Sequence, residues 1–252
     1  MQHLAIIMDG NRRWAKENAL SIVYGHDKGA QTLSEIAREV ARIGIPYLTV
    51  FAFSAENWKR SNTEINALFS LMRRYLKQEI KTFSDENIQL KFIGDIAPFP
   101  EDLQALFKSS EAQTKNNNSI TLTIAVNYGG MQDIINAASD FNSSGSDLSS
   151  SKNLKAFKSK LMTSFLPPVD MLIRTGKEKR ISNFLIWDCA YAELYFSDSY
   201  WPEFGISDLH EAVEDWNSRI RRFGGSVDIT ATDVNDLPKN VIQIEKITVN
   251  ER

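Results

Sequence analysis

Leu4-Ala5-Ile6-Ile7-Met8-Asp9-Gly10-Asn11-Arg12-Arg13-Trp14 sets an unbroken apolar run directly before an acid, a glycine and two arginines. Such a run, too short for a helix and bounded by turn residues, reads as a strand buried on both faces. The rhythm recurs at 47–53, 88–93, 120–126, 169–173 and 193–196, with longer stretches of helical period between the runs. That alternation predicts an α/β fold: a single domain with a central parallel sheet of about six strands flanked by helices. A helix over 26–43 puts Leu33, Ile36, Ala37, Val40 and Ala41 on one face and stops at Gly44, closing a βαβ unit. A longer helix over 61–87 starts with Ser61 and Glu64 at capping-box spacing, with Ile65, Leu68, Phe69, Met72, Leu76 and Ile80 along one side. Pro100-Glu101-Asp102 opens a further helix, and 129–141 and 207–222 complete the set.

Composition narrows the function classes. The 252 residues carry 29 Lys plus Arg against 32 Asp plus Glu, a net charge of -3, so no basic surface for nucleic acid is expected. Cys189 is the one cysteine, which excludes an intramolecular disulfide and a cysteine zinc site and fits a reducing, cytoplasmic setting. The apolar runs are too short to span a bilayer, and the amino terminus shows no basic leader with a cleavage site. The Ser/Asn/Gly/Asp-rich stretch 142–153 is expected to be a mobile loop within a domain over 1–225, and 226–252 a short strand and loose tail.

The chemistry gathers where strands end. Asp9, Gly10, Asn11, Arg12 and Arg13 follow the first strand, where open α/β sheets bind ligands, and a helix starting near Asn11 would aim free N–H groups at an anion. An Asx turn at Asp9 and Asn11 is the plainer explanation; the flanking arginines and an acid suited to Mg²⁺ favour a phosphate or diphosphate cradle. After the second strand come Ser54, Ala55, Glu56, Asn57, Trp58 and Arg60. Packing accounts for Trp58 and helix capping for Glu64, whereas Asn57 and Arg60 are less easily explained that way. The segment 174–183 carries Arg174, Lys177, Lys179 and Arg180 with Ser182, between two apolar runs, and suits an oxygen-rich anion better than a solvated charge run. Two anion cradles and one metal-suited acid point to a reaction between two phosphorylated molecules, or to a nucleotide. The stripe over 65–80 packs on the sheet or in part lines an apolar channel; both remain open.

Taken in order, the motifs resemble those of the cis-prenyltransferases, the family of bacterial undecaprenyl diphosphate synthase. They are Met8-Asp9-Gly10-Asn11-x-Arg13-Trp14-Ala15, Gly25-His26-x-x-Gly29, Phe53-Ser54-x-Glu56-Asn57-Trp58-x-Arg60, Asn127-Tyr128-Gly129-Gly130, Arg174-Thr175-Gly176, Arg180-Ile181-Ser182-Asn183 and Ala192-Glu193-Leu194-Tyr195-Phe196. The likeness runs over 3–225. It implies a homodimer of α/β subunits, each with a hydrophobic tunnel, that adds isopentenyl diphosphate repeatedly and in cis to an allylic diphosphate such as farnesyl diphosphate. The product implied is a polyprenyl diphosphate, undecaprenyl diphosphate foremost, the lipid-carrier precursor for cell-wall synthesis. By matching motif, Asp9 binds Mg²⁺ with Glu193, and Gly10, Asn11, Arg12, Arg13, Trp14 and His26 surround the allylic diphosphate. Arg60, Arg174, Arg180, Ile181 and Ser182 hold isopentenyl diphosphate. Asn57 is the implied proton acceptor, with Ser54, Ala55, Glu56 and Trp58 beside it, though an amide is a poor base and released diphosphate is the alternative. The closing Arg222-Phe223-Gly224 is similar to a motif that reaches toward a partner subunit, and the greasy product implies peripheral contact with the inner membrane face.

The sequence departs from the pattern at Ile22, where the family usually has an arginine that grips the allylic diphosphate, with Arg12 a candidate substitute. Other readings are a shorter-product family member, a catalytically silent dimer partner, and a phosphatase with an aspartyl nucleophile. Asn11 weakens the last, because it cannot supply the general acid such a phosphatase needs. No Asp-Asp-x-x-Asp run of an all-helical prenyltransferase is present.

Overall fold

Strand β1 (His3–Ile7) is buried at every position, as an apolar run without alternation requires when helices cover both faces of a sheet. It lies inside a six-stranded sheet, in a computed structural model that describes residues 1–143 and 153–219. The other strands are β2 (Tyr47–Ser54), β3 (Ile88–Ile93), β4 (Ile120–Tyr128), β5 (Met171–Arg174) and β6 (Glu193–Phe196). All neighbours pair in parallel, in the order β3-β4-β2-β1-β5-β6, as the alternation predicts.

The order positions the site. From β1 the chain crosses to β2 on one side, and only after β4 does it jump to β5 on the other. The connections leaving β1 and β5 therefore run in opposite directions and part above the carboxyl ends of this strand pair, the switch point at which open α/β sheets receive ligands. Ile7 is in register with both Phe51 and Arg174. The segments after β1, β2 and β5 thus emerge on one edge.

The helices are α1 (Asn11–Glu17), α2 (Ile22–Arg42), α3 (Asn62–Asp85), α4 (Glu101–Thr114), α5 (Gly130–Ser143), α6 (Leu154–Lys158) and α7 (Ile206–Ser218). Helix α2 begins four residues before the expected 26, because Ser21 is its N-cap and accepts a hydrogen bond from the Tyr24 N–H. The β-branched pair Ile22-Val23 hides that start from a periodicity argument. Its end is as expected, with Gly44 at a φ of 78° and its N–H bonded to the Ala41 carbonyl. Ser61 caps α3 by accepting from the Glu64 N–H. The expected α3 stripe divides: Ile65, Leu68, Phe69 and Leu76 are buried, while Met72 and Ile80 are half-buried.

Two compact units partition the chain, Met1–His210 and Glu211–Arg252. In the second, Arg219 pairs with Asp215 near the end of α7. The stretch 144–152 of the expected loop, the carboxyl-terminal tail and the Arg222-Phe223-Gly224 motif lie outside the described residues. No described helix is long and apolar enough to cross a membrane.

Candidate active site

The turn after β1 is built to bring an acid to two arginines. Gly10 takes a φ of 110°, and a Cβ there would stand 2.6 Å from the Tyr200 ring, so the turn needs glycine twice over. The Asp9 backbone is pinned by Thr175, whose hydroxyl accepts from the Asp9 N–H at 3.0 Å and donates to the Asp9 carbonyl at 2.7 Å. One Asp9 carboxylate oxygen accepts from Arg174 Nη2 at 2.8 Å, and the other faces Arg13 Nη2 at 3.2 Å. Arg174 ends β5 with only 4% exposure, and its Nη1 donates to Ser182 Oγ and to the Arg180 carbonyl, both at 2.6 Å. The returning loop holds Lys177, Ser182, Asn183 and Leu185 at positive φ, an unusual run for side chains with a Cβ. Glu178 bridges Arg13, at 3.0 Å, and Arg180.

A cavity of about 660 Å³ opens beside this cluster. Its polar lining comes from the segments after β1, β2 and β5, with Asp9, Asn11, Asn57, Arg60, Arg174 and Arg180 among them, and from His26 on α2. Its remaining wall is mostly apolar, with Leu33 on α2, Leu68, Leu71, Met72 and Leu76 on α3, Phe92 and Ile124 on adjacent strands, and Phe107 on α4. Part of the α3 stripe thus lines a channel and part packs in the core, which resolves the two readings of it.

Three buried polar atoms around the opening have no hydrogen-bond partner: Asn11 Oδ1, His26 Nε2 and Arg174 Nε. Unsatisfied buried groups are costly, and three at one cavity mark a place where a polar ligand belongs. Burial, with the Arg60 and Arg12 guanidiniums adding to it, lowers His26 to about 4, so its imidazole is neutral at pH 7. Helix α2 packs tightly here, since a Cβ on Gly29 would lie 2.4 Å from Asn11 Oδ1.

The other expected residues fall outside the lining. Arg12 reaches across to Glu64, which also holds Arg60 at 3.0 Å. Trp14 stacks on Tyr24 and donates to Glu203. Ala55 opens the 3-10 turn Ala55–Lys59, where Asn57 Oδ1 accepts from the Ser54 N–H at 3.0 Å. Trp58 donates to Asn127 and packs with Phe53, Phe69 and Phe99, the packing role expected for it. Ile181 packs against the core cluster around Phe184. Sequence reasoning missed Asn183 and Trp201 in the lining, although a polar residue at positive φ beside Ser182 is a signal for the first.

Glu193 stands elsewhere. It opens β6 opposite Met171, which pairs with Leu4, whereas Asp9 lies two residues past the end of β1. Five residues of strand rise and two strand spacings separate the levels, roughly 16 Å by 10 Å, so one chain does not bring both carboxylates to one ion. No cluster of three or more His, Cys, Asp or Glu suited to a metal occurs among the described residues. A single carboxylate at the cavity, as Asp9 is, fits the pattern in which Mg²⁺ takes one carboxylate and completes its shell with phosphate oxygens and water.

A cationic rim over a deep apolar cavity is the geometry of an enzyme that takes an amphiphile with an anionic head. The prenyltransferase family model described as an undecaprenyl diphosphate synthase matches residues 7–224. An isoprenyl transferase from Treponema denticola is 43% identical over 226 residues, covering 90% of this chain and 98% of that protein. The ditrans,polycis-undecaprenyl-diphosphate synthase ((2E,6E)-farnesyl-diphosphate specific) of Haemophilus influenzae is 45% identical over 232 residues, 89% of this chain and 95% of that one. The solved lavandulyl diphosphate synthase of Lavandula x intermedia, in complex with dimethylallyl diphosphate, superposes with a TM-score of 0.84 at 33% identity, covering 88% and 98%. The chain belongs to the undecaprenyl diphosphate synthase family of prenyltransferases.

Proposed function

We propose that this prenyltransferase adds isopentenyl diphosphate repeatedly and in cis to an allylic diphosphate, farnesyl diphosphate foremost, and releases undecaprenyl diphosphate. The observation that carries the reading is one cavity whose rim holds Asp9, His26, Arg60, Arg174 and Arg180 and whose depth is apolar. Rim cations suit the two diphosphate heads, and the interior suits a growing hydrocarbon chain.

In this assignment Asn11, Arg13 and His26 bind the allylic diphosphate, with Arg12 supplying the charge absent at Ile22. Arg60, Arg174, Arg180 and Ser182 orient isopentenyl diphosphate. As the allylic carbon–oxygen bond ionises, negative charge grows on the leaving oxygens, and fixed guanidiniums stabilise it more than they stabilise the ground state. Holding both heads also keeps the acceptor alkene near the allylic carbon. Bound Mg²⁺, with Asp9 as its protein ligand, would neutralise leaving-group charge. Asn57 Oδ1 already accepts a backbone hydrogen bond, so we assign Asn57 to shaping the turn and the released diphosphate to taking the proton.

Exposed Met131 and Ile135 on α5, and the edge position of β6, support pairing with a second copy. A cytoplasmic enzyme touching the membrane through its product follows from the same chemistry. The test is incubation of the purified chain with farnesyl diphosphate, radiolabelled isopentenyl diphosphate and Mg²⁺, with and without a chelator, followed by mass analysis of extracted lipids. Undecaprenyl diphosphate formed only with Mg²⁺ is expected. A shorter chain revises the product, and no incorporation turns the reading toward a silent partner.

A further inference from the structure

We propose that Glu178 is a positioning residue that clears the by-product from the rim: its carboxylate returns to Arg13 and Arg180 and expels inorganic diphosphate after each addition. This rests on the reading that Arg13 serves the allylic head and Arg180 the isopentenyl head. Side chains at the opening close into a ring. Arg174 Nη2 donates to one Asp9 oxygen at 2.8 Å, and the other Asp9 oxygen faces Arg13 Nη2. Arg13 Nη1 donates to Glu178 Oε1 at 3.0 Å and Arg180 Nη1 to Glu178 Oε2. The Arg180 carbonyl closes the circuit by accepting from Arg174 Nη1 at 2.6 Å. Each of the two acids thus joins a cation assigned to one head with a cation assigned to the other.

The two acids are held differently. Asp9 has its backbone pinned by Thr175 and its carboxylate bound by Arg174, a side chain only 4% exposed. Glu178 sits between Lys177 and Lys179 on the loop after β5, and the side chains that hold it are 38% exposed at Arg13 and 59% at Arg180. Ion pairs so open to water are weak, so a diphosphate displaces this carboxylate readily. The loop backbone stays behind, since the Gly176 N–H donates to the Ser199 carbonyl and the Lys177 N–H to the Ser197 carbonyl. The displaced acid therefore remains close to both arginines, at a high effective concentration. An acid inside an anion-binding rim weakens the capture of every anion, so its place there serves a need other than capture. Repeated addition supplies that need. Each turn leaves inorganic diphosphate among fixed guanidiniums, and the rim must empty before the next allylic head settles. A carboxylate that takes Arg13 and Arg180 back as the diphosphate loosens shortens the wait.

If Glu178 only held the guanidiniums in place, its loss would weaken diphosphate binding; as a competitor, its loss strengthens it. Titration calorimetry of the full chain and its Glu178→Gln variant with inorganic diphosphate, in one Mg²⁺ buffer, separates the two. The variant is expected to bind about five-fold tighter or more, the scale of one or two exposed ion pairs. In assays with farnesyl diphosphate and radiolabelled isopentenyl diphosphate its kcat and KM are expected to fall together, with later turnovers slowed more than the first. Glu178→Ala removes the charge as well and gives the same readout where the glutamine amide still bridges the arginines. Equal or weaker diphosphate binding by both folded variants, or tighter binding with kcat unchanged, overturns the proposal and leaves the parent reading standing. A wild-type chain that makes no polyprenyl product overturns both.

Discussion

Arg174 shows how one side chain can serve the frame and the site together. It closes β5, reaches Asp9 and Ser182 with different ends of its guanidinium, and is all but excluded from water. Lysine keeps the charge but not the fork. Arg174→Lys should therefore lower kcat about 100-fold, in the range seen when one preorganised donor to a developing anion is lost, with a smaller change in KM. Steady-state incorporation of isopentenyl diphosphate checks this. His26 yields a second expectation. The folded protein takes a proton on this imidazole only near pH 4, the unfolded chain near 6.5. Between these values the unfolded state holds more protons, so stability contributed here is complete above 6.5 and is lost as pH falls toward 4. His26→Asn should flatten this part of a melting-temperature profile. Most of these rim residues were legible in the sequence because strand-end acids and paired arginines have few packing roles. Glu193 was not, since its distance from Asp9 depends on strand register.

At the level of elements, the glycines on α2 matter more than helix propensity suggests. A Cβ on Gly25 would stand 2.4 Å from the Asn11 carbonyl, which is backbone and cannot swing away. Gly25→Ala should cost about 1–3 kcal/mol by urea unfolding, as overpacking does, even though alanine is the better helix former. Lys158 offers a different test. It ends α6 and donates to the Thr163 carbonyl at 2.8 Å, to Thr163 Oγ1 at 2.9 Å, and to the buried Asp188 carboxylate. Lys158→Met strands that carboxylate and should cost about 3–5 kcal/mol, again read by urea unfolding. The short helix α6 was missed because five residues carry too little period to detect, whereas α3 was plain over six turns.

For the whole molecule, the decisive fact is the sheet order. Six buried runs announced parallel pairing, but no local pattern states that β4 inserts between β2 and β3 or that β5 lies on the far side of β1. That arrangement creates the crevice above β1 and β5 and brings together residues as distant in sequence as Asp9 and Arg174. The cavity volume depends on how α2 and α3 meet, which a list of apolar positions cannot supply.

Before any ligand arrives, Glu178 already pairs with two of the guanidiniums around the opening, Arg13 and Arg180, and offsets part of their charge. It behaves as a tethered counterion that a newcomer has to dislodge. The diphosphate of the proposed reaction has the higher charge and the greater number of oxygens needed to displace a single carboxylate. On the proposed function, entry at this rim becomes a contest of valence, in which weak monoanions are the poorest contestants.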